Sequence, residues 1–243
     1  MIYKINNWLR ILKVLLIIFL FTDANISAQS NVVNKYGLFV VKDVKILQRE
    51  ITADPDKQMM NLQKAIPDLL LDLKYATTHN FMHRKLYPLL HTTYLRLPAA
   101  AALKKAIAEL KEQNLTIKIL DAYRPYSVTE AMWEQVKDNR YAADPSKGSG
   151  HNRGIAVDVT LIHLHSKKEL PMGTGFDNFS DTAHQDFTGL PAKILQNRLL
   201  LKTIMEKYGF KSLDSEWWHF SLPNATAFEL LDVSFDELKK MNY

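Results

Sequence analysis

Two short motifs contain side chains that could bind a metal ion. The first, residues 149–158, reads Ser-Gly-His-Asn-Arg-Gly-Ile-Ala-Val-Asp and contains His151 and Asp158. The second, residues 216–219, reads Glu-Trp-Trp-His and ends at His219. Imidazole and carboxylate are the zinc ligands that remain for a chain without cysteine, and three of them leave a fourth position open for catalysis. The sequence therefore predicts one zinc ion per chain, bound by His151, Asp158 and His219.

Glu216 is the candidate for the catalytic base. The alternation of residues 217–222 predicts a strand with His219 on one face, and Glu216 stands directly before it. A bend at this point would bring the Glu216 carboxylate near the metal without making it a ligand. Because a carboxylate in that place can remove a proton from an attacking water, the sequence predicts a zinc-dependent hydrolase.

Two more side chains could act on a substrate. Arg124 follows a predicted strand and lies between Tyr123 and Pro125, where the backbone is restricted. Its guanidinium could stabilise the oxyanion that forms when water attacks a carbonyl, or it could make a structural ion pair with Asp121. Asp177 lies in a glycine-dense stretch and could bind a substrate ammonium.

The elements that would hold these residues are strands and helices in irregular order. The predicted elements are a strand or two within residues 37–46, a helix over 97–113, a strand over 115–120, a helix over 127–137 with a capping box of Ser127 and Glu130, a strand over 155–161, and a helix over 191–208 that ends at Gly209. A turn at Gly154 would let His151 and Asp158 face one cleft. The order favours an α+β fold, a single domain whose central antiparallel sheet carries the zinc site and has helices packed on it.

Composition narrows the class of protein further. With 243 residues, 47% of them hydrophobic, the chain can bury the core of one domain. The formal net charge of +5 is too small to indicate nucleic-acid binding. A basic start, an apolar run over residues 14–21 and small residues up to Ala28 predict a signal peptide over residues 1–28 and a mature domain over 29–243. We expect an exported, periplasmic protein with no stable membrane insertion after cleavage, or one that an uncleaved N-terminal anchor retains.

Six segments of the chain are similar to a known family. They are residues 72–77, 80–81, 123–125, 149–158, 172–177 and 216–220. In these segments the chain resembles the D-alanyl-D-alanine dipeptidases of the vancomycin-resistance type, which are zinc peptidases that act on cell-wall peptides. The roles that the resemblance implies are zinc binding by His151, Asp158 and His219, proton transfer by Glu216, transition-state stabilisation by Arg124, and binding of the dipeptide by Ser149 and Asp177.

Two departures from the family bear on the substrate and the compartment. His83 stands where the resemblance predicts a glycine, and the signal segment differs from the cytoplasmic resistance enzymes. An exported relative would recycle D-Ala-D-Ala released from the wall. An alternative within the same chemistry is a D,D- or L,D-carboxypeptidase or endopeptidase that trims longer peptidoglycan peptides in a more open cleft. A non-catalytic module that binds wall peptides is disfavoured, because it would not need Glu216 beside the metal.

Overall fold

A computed structural model describes residues 33–138 and 142–241. The predicted signal peptide, residues 1–28, lies outside the described residues. The strands are β1 (Val40–Val41), β2 (Met59–Asn61), β3 (Leu70–Leu71), β4 (Tyr94–Arg96), β5 (Leu115–Asp121), β6 (Ala156–His163), β7 (Lys211–Leu213), β8 (Glu216–Ser221) and β9 (Leu230–Leu231). The helices are α1 (Val44–Ala53), α2 (Leu62–Ala65), α3 (Leu97–Glu112), α4 (Tyr126–Val136), α5 (Ala192–Lys207) and α6 (Phe235–Lys240). Of the helices within the described ranges, none combines the length and apolar content needed to cross a membrane.

The central sheet has five strands in the order β3-β5-β6-β8-β7. Neighbouring strands run antiparallel, except that β3 pairs with β5 in parallel. Two small sheets flank it, an antiparallel pair of β2 with β4 and a parallel pair of β1 with β9. The predicted α+β class, with helices on a largely antiparallel sheet, is confirmed.

Strand β6 sits at the centre of this sheet, and both of its faces are covered. Its apolar side chains at Val157, Val159 and Leu161 are fully buried in the main core, as the alternation of a strand requires. The residues between them are polar, and Asp158 is buried as well. The register places Asp158 opposite Asp121 of β5 and opposite His219 of β8. The pairing of three strands therefore brings together ionisable residues that are far apart in the sequence.

The two long helices follow the prediction closely. Helix α3 ends one residue before the predicted end at 113, and α5 lies one residue inside each predicted end. The buried side chains of α3 recur at helical spacing, namely Ala99, Leu103, Ala106, Ile107 and Leu110. This stripe packs on β5, and α3 also contacts α5. Gly209 follows α5 with a φ of +96°, as a helix-ending glycine does.

Of two local predictions, the first is confirmed and the second is wrong. Residues 37–46 contain one strand, β1, which is short because Asp43 accepts a hydrogen bond from the Lys45 backbone and starts helix α1. The predicted capping box of Ser127 and Glu130 does not form. Helix α4 already begins at Tyr126 without a side-chain cap, and the Ser127 backbone N–H donates to the Asp232 carboxylate at 2.8 Å. A distant residue thus replaces the local cap.

Candidate active site

The turn between residues 150 and 156 brings His151 over the end of the sheet. Gly154 has a φ of +70°, and its N–H donates to the carbonyl of His151 at 3.1 Å. The chain then enters β6, where Asp158 lies. The Arg124 N–H also donates to the carbonyl of His151, at 3.2 Å, which fixes the turn to the end of β5. The turn expected at Gly154 is present, and it lets His151 and Asp158 face one cleft.

The side chains of His151, Asp158 and His219 converge on one point. One possible ligand atom from each lies within 4.8 Å of the others. His151 Nε2 is 3.2 Å from His219 Nδ1 and 3.4 Å from Asp158 Oδ2, and His219 Nδ1 is 2.9 Å from Asp158 Oδ1. Ligand atoms of a tetrahedral zinc lie roughly 3.3 Å apart, since each is about 2.0–2.1 Å from the metal. The cluster therefore has the composition and the dimensions of a metal site.

The orientation of the His151 ring also fits a metal ligand. Its Nδ1 lies 2.7 Å from the carbonyl oxygen of Ala122, which can only accept, so Nδ1 carries the proton and donates. The lone pair of Nε2 is then directed at the cluster. A backbone carbonyl that fixes the tautomer of a ligating histidine is a usual feature of metal sites.

Asp158 is held as a carboxylate despite its burial. Burial alone would raise its pKa, but the charges and hydrogen bonds of His151 and His219 outweigh burial and hold the pKa of Asp158 far below its ordinary value. Burial acts in the opposite direction on His219, yet its hydrogen bond to Asp158 raises the pKa of that imidazole. The Asp158 carboxylate is thus the anionic member of the cluster, paired with two imidazoles at the place where a cation would bind.

Glu216 opens strand β8, three residues before His219. Its Oε2 is 4.0 Å from His219 Nδ1, so the carboxylate stands beside the cluster. Burial raises the pKa of Glu216, and the nearby Asp158 charge raises it further, whereas His219 lowers it. The arrangement provides a carboxyl group that can accept a proton next to the metal position.

Arg124 makes the ion pair with Asp121 that the sequence suggested, whereas its role in stabilising an oxyanion stays a prediction. Its Nε and Nη2 donate to Asp121 Oδ2 at 3.1 and 2.8 Å, in a buried ion pair. The guanidinium also lines the cavity above the cluster, with its central carbon 5.0 Å from the ring centroid of Tyr75. The ion pair with Asp121 raises the pKa of Arg124 well above its ordinary value, against the effect of burial. Arg124 is therefore a fixed cation that faces the cavity.

Asp177 and Ser149 lie on the walls of the same cavity. Asp177 accepts a hydrogen bond from the Tyr75 hydroxyl at 3.0 Å and has a φ of +58°, a conformation that Asp and Asn tolerate better than most residues. Burial raises the pKa of Asp177 to about 7, although the Tyr75 hydrogen bond lowers it. Ser149 Oγ accepts from the His151 N–H at 3.2 Å.

The cavity encloses about 170 Å³ and brings together all seven residues that the sequence singled out. Sequence reasoning missed the other half of its lining residues, which are Tyr75, Met132, Ala142, Ala143, Phe179, Leu213 and Trp218. Tyr75 and Trp218 could have been found, because they lie within the family-like segments 72–77 and 216–220. The other wall residues carry no such signal, since small and aromatic side chains are equally common in a core.

Comparison with known proteins identifies the family. The family model described as D-Ala-D-Ala dipeptidase, peptidase family M15, matches residues 56–240. The chain belongs to this family. It is 37% identical over 178 residues to the D-alanyl-D-alanine dipeptidase of Escherichia coli K12, which covers 73% of this chain and 91% of that protein. It is 29% identical over 183 residues to the enzyme of the same name from Enterococcus faecium, covering 66% and 89%.

A solved structure, that of the LdcB LD-carboxypeptidase described for peptidoglycan recognition, matches with 20% identity and a TM-score of 0.38. The match covers 58% of this chain and 66% of that chain. Membership of the dipeptidase family makes this protein a peptidase, which confirms the prediction of a hydrolase.

Proposed function

We propose that this protein is a zinc-dependent dipeptidase that hydrolyses D-alanyl-D-alanine to two D-alanines. The observation that carries the proposal is the convergence of His151, Asp158 and His219 within 4.8 Å, with the Glu216 carboxylate 4.0 Å from the nearest ligand nitrogen. A binding module without catalysis would have no use for an acidic group in that place. The identity to dipeptidases of this name over most of their length supports the substrate.

His151, Asp158 and His219 would hold the zinc ion. When bound, zinc polarises a carbonyl oxygen and makes a coordinated water more acidic. The hydrogen bond from His151 to the Ala122 carbonyl and the buried carboxylate of Asp158 keep this donor set oriented before the metal arrives. The three ligands leave room for substrate because they come from one end of the sheet and the cavity opens above them.

Glu216 and Arg124 would perform the proton transfer and the charge stabilisation. Glu216 takes a proton from the attacking water as the new C–O bond forms at the peptide carbon. It then returns that proton to the leaving nitrogen as the C–N bond breaks, so that Glu216 ends the cycle as the carboxylate it was at the start. A pKa raised by burial suits a group that must both accept and donate a proton. Arg124 donates to the oxyanion from a position that Asp121 fixes in advance.

The polar walls of the cavity fit a free dipeptide. The carboxylate of Asp177, with Tyr75 beside it, would bind the substrate ammonium. Ser149, two residues before His151, would donate a hydrogen bond to the substrate. The cavity of about 170 Å³ is small, which fits a dipeptide with small side chains better than a long peptide. A carboxylate that requires a free ammonium would disfavour the longer peptides that a carboxypeptidase trims.

We further propose that the enzyme acts after export, in the periplasm, on dipeptides released from the cell wall. The basic and apolar pattern of residues 1–28 supports export, and the absence of cysteine is compatible with an oxidising compartment. In that place the reaction would return D-alanine for reuse.

One experiment tests metal, reaction and substrate length together. The purified protein is analysed for bound metal, and D-alanine release is measured from D-Ala-D-Ala and from a peptidoglycan pentapeptide, with and without chelator. We expect about one zinc per chain, hydrolysis of the dipeptide that chelator abolishes and zinc restores, and little release from the pentapeptide. Preference for the pentapeptide would instead identify a carboxypeptidase, and the absence of any hydrolysis would reject the catalytic proposal.

Replacement of Glu216 separates catalysis from metal binding. We expect Glu216→Gln to keep zinc and fold but to lower kcat by several orders of magnitude, as removal of an essential catalytic group does. The matched control is Glu206→Gln on α5, whose carboxylate is exposed and bonds only Ser212 among the described hydrogen bonds. Near-normal turnover in Glu216→Gln would show that another group is the base.

A further inference from the structure

We propose that Tyr87 is a positioning residue for catalysis. It would orient Arg124 through Asp121, and it would hold Arg124 in alignment with the side of the cavity that binds the substrate. The proposal rests on the proposed dipeptidase function. Tyr87 does not line the cavity, so it would act through its neighbours and not by contact with the substrate.

The first contact of Tyr87 is with the carboxylate behind Arg124. The Tyr87 hydroxyl donates to Asp121 Oδ1 at 3.0 Å, whereas both Arg124 donors use the other oxygen, Oδ2. All three side chains are buried. One hydrogen bond on Oδ1 and two on Oδ2 fix the plane of the carboxylate, and that plane fixes the guanidinium.

The second contact of Tyr87 is with the residue that holds Asp177. The backbone N–H groups of Leu86 and Tyr87 donate to the Tyr75 carbonyl at 2.8 and 3.1 Å. The Tyr87 and Tyr75 rings meet edge to face, with centroids 6.1 Å apart. Tyr75 in turn donates from its hydroxyl to Asp177. Tyr87 therefore joins the group proposed to stabilise the oxyanion to the group proposed to bind the ammonium.

The hydroxyl and the ring of Tyr87 have separable effects. Loss of the hydroxyl frees Asp121 Oδ1 in a buried place, so the carboxylate can turn and Arg124 loses its fixed direction. A donor that is misplaced by about 1 Å can lower the rate by 10²-fold. The ring contact with Tyr75 would survive in phenylalanine, so binding of the ammonium would change little. The proposal thus predicts a loss in kcat without a matching rise in KM.

The test compares two phenylalanine substitutions in the full-length zinc enzyme. We expect Tyr87→Phe to lower kcat per bound zinc by roughly 10- to 100-fold with KM for D-Ala-D-Ala changed less than about 3-fold. The control is Tyr94→Phe, because Tyr94 is also buried and packs against the same Phe235 ring, but its hydroxyl bonds no residue of the site. We expect the control to keep the wild-type kcat. Because rates are given per bound zinc, a purely structural loss of active protein would not reproduce this split.

A double-mutant cycle shows whether Tyr87 acts through Arg124. In an Arg124→Ala background, where turnover is already low, adding Tyr87→Phe should lower kcat less than 2-fold, because the group it orients is gone. A full additive loss, or equal kcat in Tyr87→Phe and Tyr94→Phe, would overturn the positioning role. Failure of the proposed function is a separate result, because the wild-type protein itself would then fail to hydrolyse the dipeptide.

Discussion

At the scale of single residues, the candidate site contains acidic side chains that are buried, and burial disfavours their charged form. Asp158, Glu216 and Asp177 are carboxylates in or beside one small cavity, and burial acts to raise the pKa of each. Of the three, only Asp158 has a nitrogen of each imidazole within 3.4 Å. The other two would be costly as carboxylates, which is expected where groups are arranged for reaction and not for stability. A bound ammonium or metal would supply the missing positive charge.

Asp177 gives the clearest pH prediction. Its ordinary pKa of 3.8 becomes about 7 in the folded protein, so the native state favours the protonated form. Stability from that protonated form is complete below pH 4 and is lost as the pH rises through 7. Asn keeps the left-handed backbone and a hydrogen-bond acceptor for Tyr75 without the charge. In chelator, Asp177→Asn should therefore stabilise the fold at pH 8 by ~1–3 kcal/mol and change it little at pH 4.

Thermal unfolding at the two pH values checks this expectation, with a Tm increase of roughly 2–10 °C at pH 8. The exposed neighbour Asp181, whose side chain is 92% accessible, provides Asp181→Asn as the control and should show no shift at either pH. The same Asp177→Asn protein should bind D-Ala-D-Ala worse, with KM raised at least ~10-fold, because the ammonium loses a charged partner. An unchanged KM would argue against Asp177 as the ammonium site.

Sequence patterns were sufficient to single out the residues that carry charge at the site, but not those that orient them. The motifs at 149–158 and 216–219 could be recognised because their residue types are those of metal ligands and a catalytic base. The partnership of Asp121 with Tyr87 is different, because it joins residues 34 positions apart through a buried contact. Nothing in the local sequence of Tyr87 distinguishes it from a core tyrosine. Such partners become visible only when the packing is known.

At the scale of elements, the site depends on the register of three strands. Asp158 can meet His219 only because β6 and β8 pair at those two residues. The alternation of each strand could be read from the sequence, and so could the two long helices. The order of the strands could not, since it depends on which edges meet in the fold. The parallel strand β3 at the edge of the sheet was missed for the same reason, because two residues carry too little pattern.

His83 departs from the family at a position where the backbone conformation favours glycine. The resemblance implied glycine here, and the backbone has a φ of +51°, in the left-handed region that glycine favours. The expectation of glycine thus had a backbone cause. Asn80, three residues before His83, donates from its side chain to the carbonyls of Lys74, Thr77 and Arg84, which holds the loop in place despite the strained residue.

A substitution at Gly154 tests the turn that connects His151 to strand β6. A φ of +70° costs a residue with a side chain ~1–2 kcal/mol, and an added Cβ would lie 3.0 Å from Met59 Cε and Sδ. We expect Gly154→Ala to lower the free energy of unfolding in chelator by about that amount and to weaken zinc binding, because His151 moves with the turn. Gly175→Ala is the control, since a Cβ there meets nothing within 4 Å. Equal urea midpoints for the two variants would contradict this account of the turn.

At the scale of the whole molecule, one buried arginine joins four separate parts of the chain. Arg96, at the end of β4, is fully buried. Its backbone N–H donates to the Gly154 carbonyl at 2.7 Å, and its Nε donates to the Arg153 carbonyl at 3.0 Å. Its Nη1 donates to the Lys57 carbonyl, and its Nη2 is 3.5 Å from Glu229 Oε2. Arg96 thus connects the turn at residues 150–156 to both the early and the late segments of the described chain.

Replacement of Arg96 should therefore affect folding and metal binding together. In Arg96→Met the carbonyls of Lys57, Arg153 and Glu229 lose their side-chain donor and the Glu229 carboxylate loses an ion-pair partner, all in a buried place. We therefore expect a loss of ~3–5 kcal/mol in the free energy of unfolding. The exposed Arg84 provides Arg84→Met as the control, with a change within about 0.5 kcal/mol. Because zinc would bind only the folded state, a zinc concentration of about 100 times Kd should restore roughly 2.7 kcal/mol. We expect zinc to restore stability in Arg96→Met but not in the double variant Arg96→Met, His219→Ala. That result would show that metal binding and the distant contacts of Arg96 stabilise the same folded state. A double variant that zinc stabilises equally well would place the metal elsewhere.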